Sequence, residues 1–244
     1  MDKYIGRGSA KFYFLKYLQE KGILKKDSRI IDMGSGTSAA WDDFFRENPN
    51  AHYTGIEPFK KSCEKAKQNF GHLPNVKLYN EFAYNDIKGF GDFDICISLS
   101  VLEHIKQLDL MLEKSVQSVK PGGKIIHWYD LGHALYSSSF KELVHVFVGN
   151  HLPFLLSEYN FVRYLDPDYV EGKLMEFGIK DVVTANYQSR SLKSCLKKAR
   201  TEDDYKKIGI LSRWEFDNQD IVQRISKKGR EKLYPSVVVS GTKI

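Results

Sequence analysis

The residues whose types and spacing could do chemistry fall in a few short stretches. At 29–37, Arg-Ile-Ile-Asp-Met-Gly-Ser-Gly-Thr, a short apolar run enters a glycine turn. Ile30 and Ile31 suit a buried strand, while Gly34 and Gly36 permit backbone angles and close approaches that a side chain would forbid. A strand that ends in such a turn and opens a helix presents free N–H groups and a bare backbone to a ligand. About 20 residues further on, His52-Tyr53-Thr54-Gly55-Ile56 ends in Glu57, the spacing at which nucleotide-binding α/β folds place an acid for a ribose. A carboxylate there can accept hydrogen bonds from both ribose hydroxyls. Downstream, His127, Asp130 and His133 gather at the end of another apolar run, with His145 and His151 not far beyond. An imidazole ionises near neutrality, so one at the mouth of a pocket can take a proton at pH 7.

These residues must be held by elements, and the chain supplies them in alternation. Ser9 can cap a helix over 9–21 that Gly22 stops. After the glycine turn, a crossover helix over 39–47 ends at Asn48-Pro49-Asn50. A second helix follows over 59–70, a third strand at 76–79, a fourth at 92–100, a helix over 108–120, and a fifth strand at 124–129 after Pro121-Gly122-Gly123. Strands alternating with helices mean a parallel sheet with right-handed crossovers, whose ligands bind at the carboxyl edge. Lys180 to Gln188 and Ser236 to Thr242 predict a sixth and a seventh strand.

The whole chain has 244 residues, 28% charged and 42% hydrophobic, enough to bury a full core. No run of 18 apolar residues occurs, and the N-terminus lacks an apolar core with a cleavage site, which predicts a cytoplasmic protein. Cys63, Cys96 and Cys195 have neither metal nor disulfide spacing. The net charge of +6 is local to residues 190–232. Acids are interspersed there, as on a solvated helical face, so nucleic acid is the runner-up partner and not the leading one.

Asp32-x-Gly34-x-Gly36-Thr37 resembles the first motif of class I S-adenosylmethionine-dependent methyltransferases. The dinucleotide fingerprint of oxidoreductases needs a third glycine, where this chain has Ser38 and Ala39. Val101-Leu102-Glu103-His104-Ile105, directly after the fourth strand, is similar to the motif ending in Glu-His of small-molecule members. The proline and glycines before the fifth strand also match that pattern. The resemblance covers roughly residues 29–130 with specific motifs. It implies an α/β, Rossmann-like seven-stranded methyltransferase sheet, mostly parallel with the last strand antiparallel, and a helical lid insertion.

As a single methyltransferase domain the chain divides into an N-terminal cap helix (1–28), a cofactor-binding core (29–130), a helical lid (131–178) and C-terminal strands with a basic helical insertion (179–244). The resemblance implies S-adenosyl-L-methionine as cofactor, contacted by Asp32, Gly34, Ser35, Gly36, Thr37, Glu57, Glu81, Phe82, Ser98 and His104. Within that set Glu81 belongs near the adenine amine, Phe82 against the ring, and His104 on the methionine or substrate side. Gly6-Arg7-Gly8-Ser9 could close over the cofactor. Some relatives bind a metal through a glutamate at the place of Ser100, so no metal is expected here.

For the chemistry, a hydroxyl acceptor must lose its proton as the new bond forms. His133 is the expected base, oriented by Asp130, with His127 as the alternative. His-x-x-Asp-Leu-x-x-His resembles a segment of methyltransferases found among glycan-modifying enzymes, which makes O-methylation of a small molecule or glycan the leading function. RNA methylation through residues 190–232 and a non-catalytic cofactor-binding partner protein are the alternatives. Arg163 and Tyr159 are expected at the substrate. The apolar residues of 134–165 predict a lid, with peripheral membrane contact as the other reading.

Overall fold

The computed structural model describes residues 9–85, 91–131 and 140–244. Helix α1 (Ala10–Glu20) starts at Ser9, whose hydroxyl accepts from Lys11 N. Then follow β1 (Arg29–Met33), a 3-10 turn (Ala39–Trp41) leading into α2 (Asp42–Glu47), β2 (His52–Ile56), α3 (Lys60–Phe70), β3 (Val76–Tyr79), β4 (Phe93–Leu99), a 3-10 turn (Leu102–His104), α4 (Leu108–Ser118) and β5 (Val119–Asp130). Helix α5 (Phe140–His151) and 3-10 turns at Pro153–Leu155 and Glu158–Asn160 precede α6 (Pro167–Glu176) and β6 (Ile179–Tyr187). The chain closes with α7 (Arg190–Lys198), α8 (Glu202–Asp217), α9 (Gln219–Gln223), α10 (Lys227–Leu233) and β7 (Ser236–Lys243).

The strands form one seven-stranded sheet in the order β3-β2-β1-β4-β5-β7-β6. Neighbours are parallel except at β7, which inserts antiparallel between β5 and β6. This is the class I methyltransferase arrangement. Both faces of the sheet are covered, so the central strands read as nearly continuous apolar runs. On one face Phe14 of α1 meets Trp128 of β5 edge-on, 4.6 Å between ring centres at 90°, and packs with Tyr187 and Phe216. Such a ring pair adds roughly 0.5–1.5 kcal/mol beyond its burial, which fixes the first turn of α1 beside the carboxyl edge. The other face takes α4 and α6 through Met111, Leu112, Val170 and Leu174.

Two elements differ from the sequence expectation. Pro121-Gly122-Gly123 does not separate helix from strand, because β5 begins at Val119, which already pairs with Phe93. The register shifts between Phe93 and Ile95, and Gly122 takes φ +78°, so the three residues form an irregularity within the strand. The basic segment, expected from the sequence as two helices between the sixth and seventh strands, folds as four. Each of the longer breaks carries its own cap: Thr201 and Asp204 form a capping box for α8, and the Ser226 hydroxyl caps α10. Among the described residues no helix is long and apolar enough to cross a membrane.

Candidate active site

The glycine turn is held against β2 by two hydrogen bonds to the Ile56 carbonyl, from Gly34 N at 2.8 Å and Ser35 N at 2.9 Å. Gly34 has φ +83°, and a Cβ there would stand 2.5 Å from Val101 Cγ2. Only glycine leaves the turn open at that point. Glu57 faces it from the end of β2. One carboxylate oxygen accepts from Gly36 N at 2.7 Å and the other from Phe59 N at 2.8 Å. Burial raises the Glu57 pKa, and the two backbone N–H groups oppose that rise. Each oxygen keeps a second acceptor site for a ligand hydroxyl.

Gly34, Gly36, Glu57, Phe82, Val101 and His104 line one cleft of about 360 Å³ at the carboxyl edge. Aromatic rings form its mouth. Tyr159 lies edge-on to Phe59 at 4.9 Å and tilted on Phe82 at 5.7 Å, and Phe82 stacks on Tyr84. Tyr159 is brought there by a clamp: Lys106 Nζ donates to the Leu156 carbonyl at 2.8 Å, and Lys106 N donates to Glu158 at 3.1 Å. A second clamp fixes the following residues. Arg163 N donates to the Glu103 carbonyl at 3.0 Å, and its guanidinium donates to the Ile105 carbonyl at 3.1 Å.

His104 accepts no ambiguity at one ring nitrogen. Its Nδ1 lies 3.0 Å from the Phe161 carbonyl, which can only accept, so Nδ1 carries the proton and Nε2 is the basic nitrogen of the neutral ring. Beside it, Glu103 is almost wholly buried, and burial pushes its carboxyl up to about 8. One Glu103 oxygen accepts from Asp130 N at 3.2 Å; the other has no hydrogen-bond partner among the described residues.

Several expected site residues stand elsewhere. His127 alternates on β5 with Ile126 and Trp128, so it points into the layer beneath α4 and not to the edge. It is fully buried between Ser98 Oγ (2.8 Å) and Ser115 Oγ (3.1 Å), and desolvation drives its pKa down to about 3. A base role for His127 and a cofactor contact for Ser98 are both corrected by this placement: they are partners in the core. Asp32 is likewise buried under the turn, accepting from Trp41 Nε1 and Tyr53 OH at 2.8 Å each, with burial raising its pKa to about 6. It supports the turn from below without lining the cleft.

Glu81 is exposed and accepts from Asn85, Thr37 is exposed, and Ser35 Oγ packs toward Gly55; none of the three lines the cleft. Arg163 serves as the clamp just described, and Tyr159 lines the same cleft as Glu57 and Phe82. Asp130 ion-pairs with Lys193 at 2.5 Å. His133 and Arg7 lie outside the described residues. The residues lining this cleft that the sequence did not single out include Phe59, Ser62, Glu158 and, on the first turn of α1, Lys11. The helical pattern of α1 marks Lys11 only as one more surface lysine.

Residues 31–125 match the family model of the methyltransferase domain. Over that stretch the chain resembles a methyltransferase domain, and its fold is that of the class I S-adenosylmethionine-dependent methyltransferases. It is 23% identical over 160 residues to a ubiquinone biosynthesis O-methyltransferase of Coxiella burnetii, covering 63% of this chain and 63% of that protein. A protein of the same name from Mesorhizobium japonicum is 28% identical over 96 residues, 39% of this chain and 38% of its own. The matches thus span less than two thirds of these relatives' length.

Among solved structures, phosphoethanolamine N-methyltransferase 2 of Haemonchus contortus, in complex with phosphomonomethylethanolamine and S-adenosylhomocysteine, gives a TM-score of 0.63 at 19% identity over 94% of this chain and 52% of that one. A methyltransferase of Archaeoglobus fulgidus gives 0.58 at 16% identity over 99% and 97%. These likenesses establish the fold. The cofactor of the family is S-adenosylmethionine, and the methyltransferase cleft fits it. A bare-backbone cradle at Gly34, a carboxylate with spare lone pairs at Glu57 and flanking aromatic rings suit a nucleoside with a charged tail.

Proposed function

We propose that this methyltransferase is an enzyme that methylates a hydroxyl of a small-molecule or sugar acceptor, with a histidine accepting the proton. The observation that carries the reading is a second cavity, about 730 Å³, at the same carboxyl edge. It shares Lys11 and Ser100 with the cofactor cleft, so a donor in one and an acceptor in the other would meet at that seam. S-adenosylmethionine, when bound, supplies an activated methyl on its sulfonium. The chain's own part is alignment and exclusion of water. Glu57 and the Gly34 turn hold the nucleoside end, while the Lys106 and Arg163 clamps keep Tyr159 over the cleft.

His104, with its basic Nε2, is the described imidazole at the cleft. His133, which follows β5, is the one favoured by sequence. The ubiquinone-pathway relatives support oxygen as the methylated atom. Exposed Phe140, Phe147, Phe154 and Leu155 on and after α5 leave room for an acceptor presented at a lipid surface or carried on a lipid. The RNA reading loses support from the pairing of the basic segment: Arg213 with Glu20 and Asp217, Lys227 with Asp166 and Asp168, Arg224 with Asp220.

The test is transfer of labelled methyl from S-adenosylmethionine into a host extract, separated into small-molecule, glycan, lipid, protein and nucleic-acid fractions. Alkali-stable label on oxygen in the small-molecule or glycan fractions is expected, with turnover lost in His104→Gln or His133→Gln. Label confined to RNA, or on nitrogen, would overturn the reading. Tight S-adenosylhomocysteine binding with no acceptor in any fraction would favour a non-catalytic cofactor-binding partner.

A further inference from the structure

The second cavity has a chemistry of its own. Its described charged lining is four cations, Lys11, Arg190, Lys193 and Lys197, against one carboxylate, Asp130. Arg190, Lys193 and Lys197 recur at the three- and four-residue spacing that puts side chains on one helix face, here the cavity face of α7. Like charges at that spacing destabilise a helix, and Asp130, which pairs with Lys193, is the one carboxylate in the described lining. The face is nonetheless held firmly in place. Ser189 N donates to both oxygens of buried Glu215, at 3.2 and 3.0 Å, while the Ser189 hydroxyl caps α7 at Leu192 N.

Across the cavity, Lys11 is half-buried, and among the described residues its ammonium has no carboxylate within ion-pair distance. Desolvation lowers its pKa, opposed by the more distant Asp32, Glu103 and Glu57. A partly desolvated cation facing a cationic helix face is a costly arrangement for the free protein and a favourable one for a bound dianion.

We propose that this cavity binds the phosphate of a phosphorylated small-molecule acceptor, with Arg190, Lys193 and Lys197 of α7 as its ligands and Lys11 at the seam. The word acceptor rests on the methyl-transfer reading; the anion site does not. Phosphate is preferred to a single carboxylate because several converging cations match a dianion with three free oxygens.

Inorganic phosphate is titrated calorimetrically into the full chain, with sodium chloride holding ionic strength constant. S-adenosylhomocysteine affinity, read on the same samples, reports that each variant is folded. The expected result is saturable phosphate binding that weakens about tenfold or more in the double variant Arg190→Gln/Lys197→Gln, through loss of charge-assisted hydrogen bonds. The double variant Lys61→Gln/Lys65→Gln, which removes the same charge from the exposed face of α3, should bind phosphate like the wild type. Equal weakening in both double variants would reduce the effect to net charge and overturn the proposal. So would the absence of saturable binding, or a short single-stranded RNA that displaces phosphate and binds far more tightly through the same residues. If S-adenosylhomocysteine fails to bind the wild type, the methyl-transfer reading falls while the phosphate result stands by itself. If it binds and phosphate does not, only this proposal falls.

Discussion

The carboxyl edge of the sheet is built in two ways on its two sides. On the cofactor side the parts are backbone: N–H groups of Gly36 and Phe59 on Glu57, and a turn at Gly34 pressed against Val101. Gly34, Gly36, Glu57 and Phe59 come from two adjacent strands and the turns that end them, with Val101 reaching them from the end of β4. On the side proposed for the acceptor the parts are charged side chain ends from α1, β5 and α7, brought together from as far apart in sequence as Lys11 and Lys197. A backbone cradle has one solution and fails abruptly when a single atom is added. A cluster of long cations is redundant, and it loses function by degrees.

Gly34→Ala tests that difference with the largest expected effect. The methyl must share space with Val101 Cγ2 at 2.5 Å and adopt a positive φ. The turn should shift and S-adenosylhomocysteine affinity should drop by about two orders of magnitude, some 2.7 kcal/mol. An affinity within a few-fold of wild type by calorimetry would mean that the cradle is adaptable and that the contrast between the two sides is false.

The same contrast explains what the sequence disclosed. The meeting of Gly34, Gly36 and Glu57 at one cleft was legible because their placement follows from backbone geometry and fixed spacing along two adjacent strands. The strand order and the antiparallel β7 were legible because the family motifs arrive in sequence. Lys11 was not, since nothing in the pattern of α1 says that its first turn ends beside the cleft. His127 and Ser98 misled for a related reason. Both lie near the end of edge-forming strands, but the period of two sends their side chains sideways into the layer under α4. Charge composition showed that residues 190–232 are basic, but only tertiary packing separates the α7 cations turned to a cavity from those paired at the surface.

His104 and His127 make a matched pair for the next measurement. His127→Gln leaves Ser98 or Ser115 without its ring partner in a fully buried site. It should cost roughly 1–3 kcal/mol in urea unfolding while the surviving folded enzyme keeps its turnover per molecule. His104→Gln, at a half-open ring, should leave the urea midpoint nearly unchanged and reduce turnover about a hundredfold or more if the ring takes the acceptor proton. Equal effects of the two variants on both readouts would remove the distinction between the core histidine and the cleft histidine.

The smallest expected effect lies beneath the seam, at buried Glu103, whose carboxyl accepts from Asp130 N and whose backbone carbonyl accepts from Arg163 N. An unfolded glutamate titrates near 4.5, and the folded carboxyl is pushed up to about 8 by burial. Between those values the native state holds a proton that the unfolded chain has released, so stability falls as pH rises through the window. The protonated form is fully favourable below 4.5, and its contribution is gone once pH passes about 8. Asp32, raised to about 6, adds a loss of the same sign over a lower range. Glu103→Gln keeps the shape of the neutral acid and removes its ionisation. It should match wild type at pH 5 and exceed it at pH 9, by an amount on the order of 1 kcal/mol or a few, read from urea midpoints at the two pH values. If the gap between variant and wild type is the same at both, Glu103 is ionised throughout. A buried carboxylate would then lie beneath the seam, and its negative charge would work against an anionic acceptor on the α7 side.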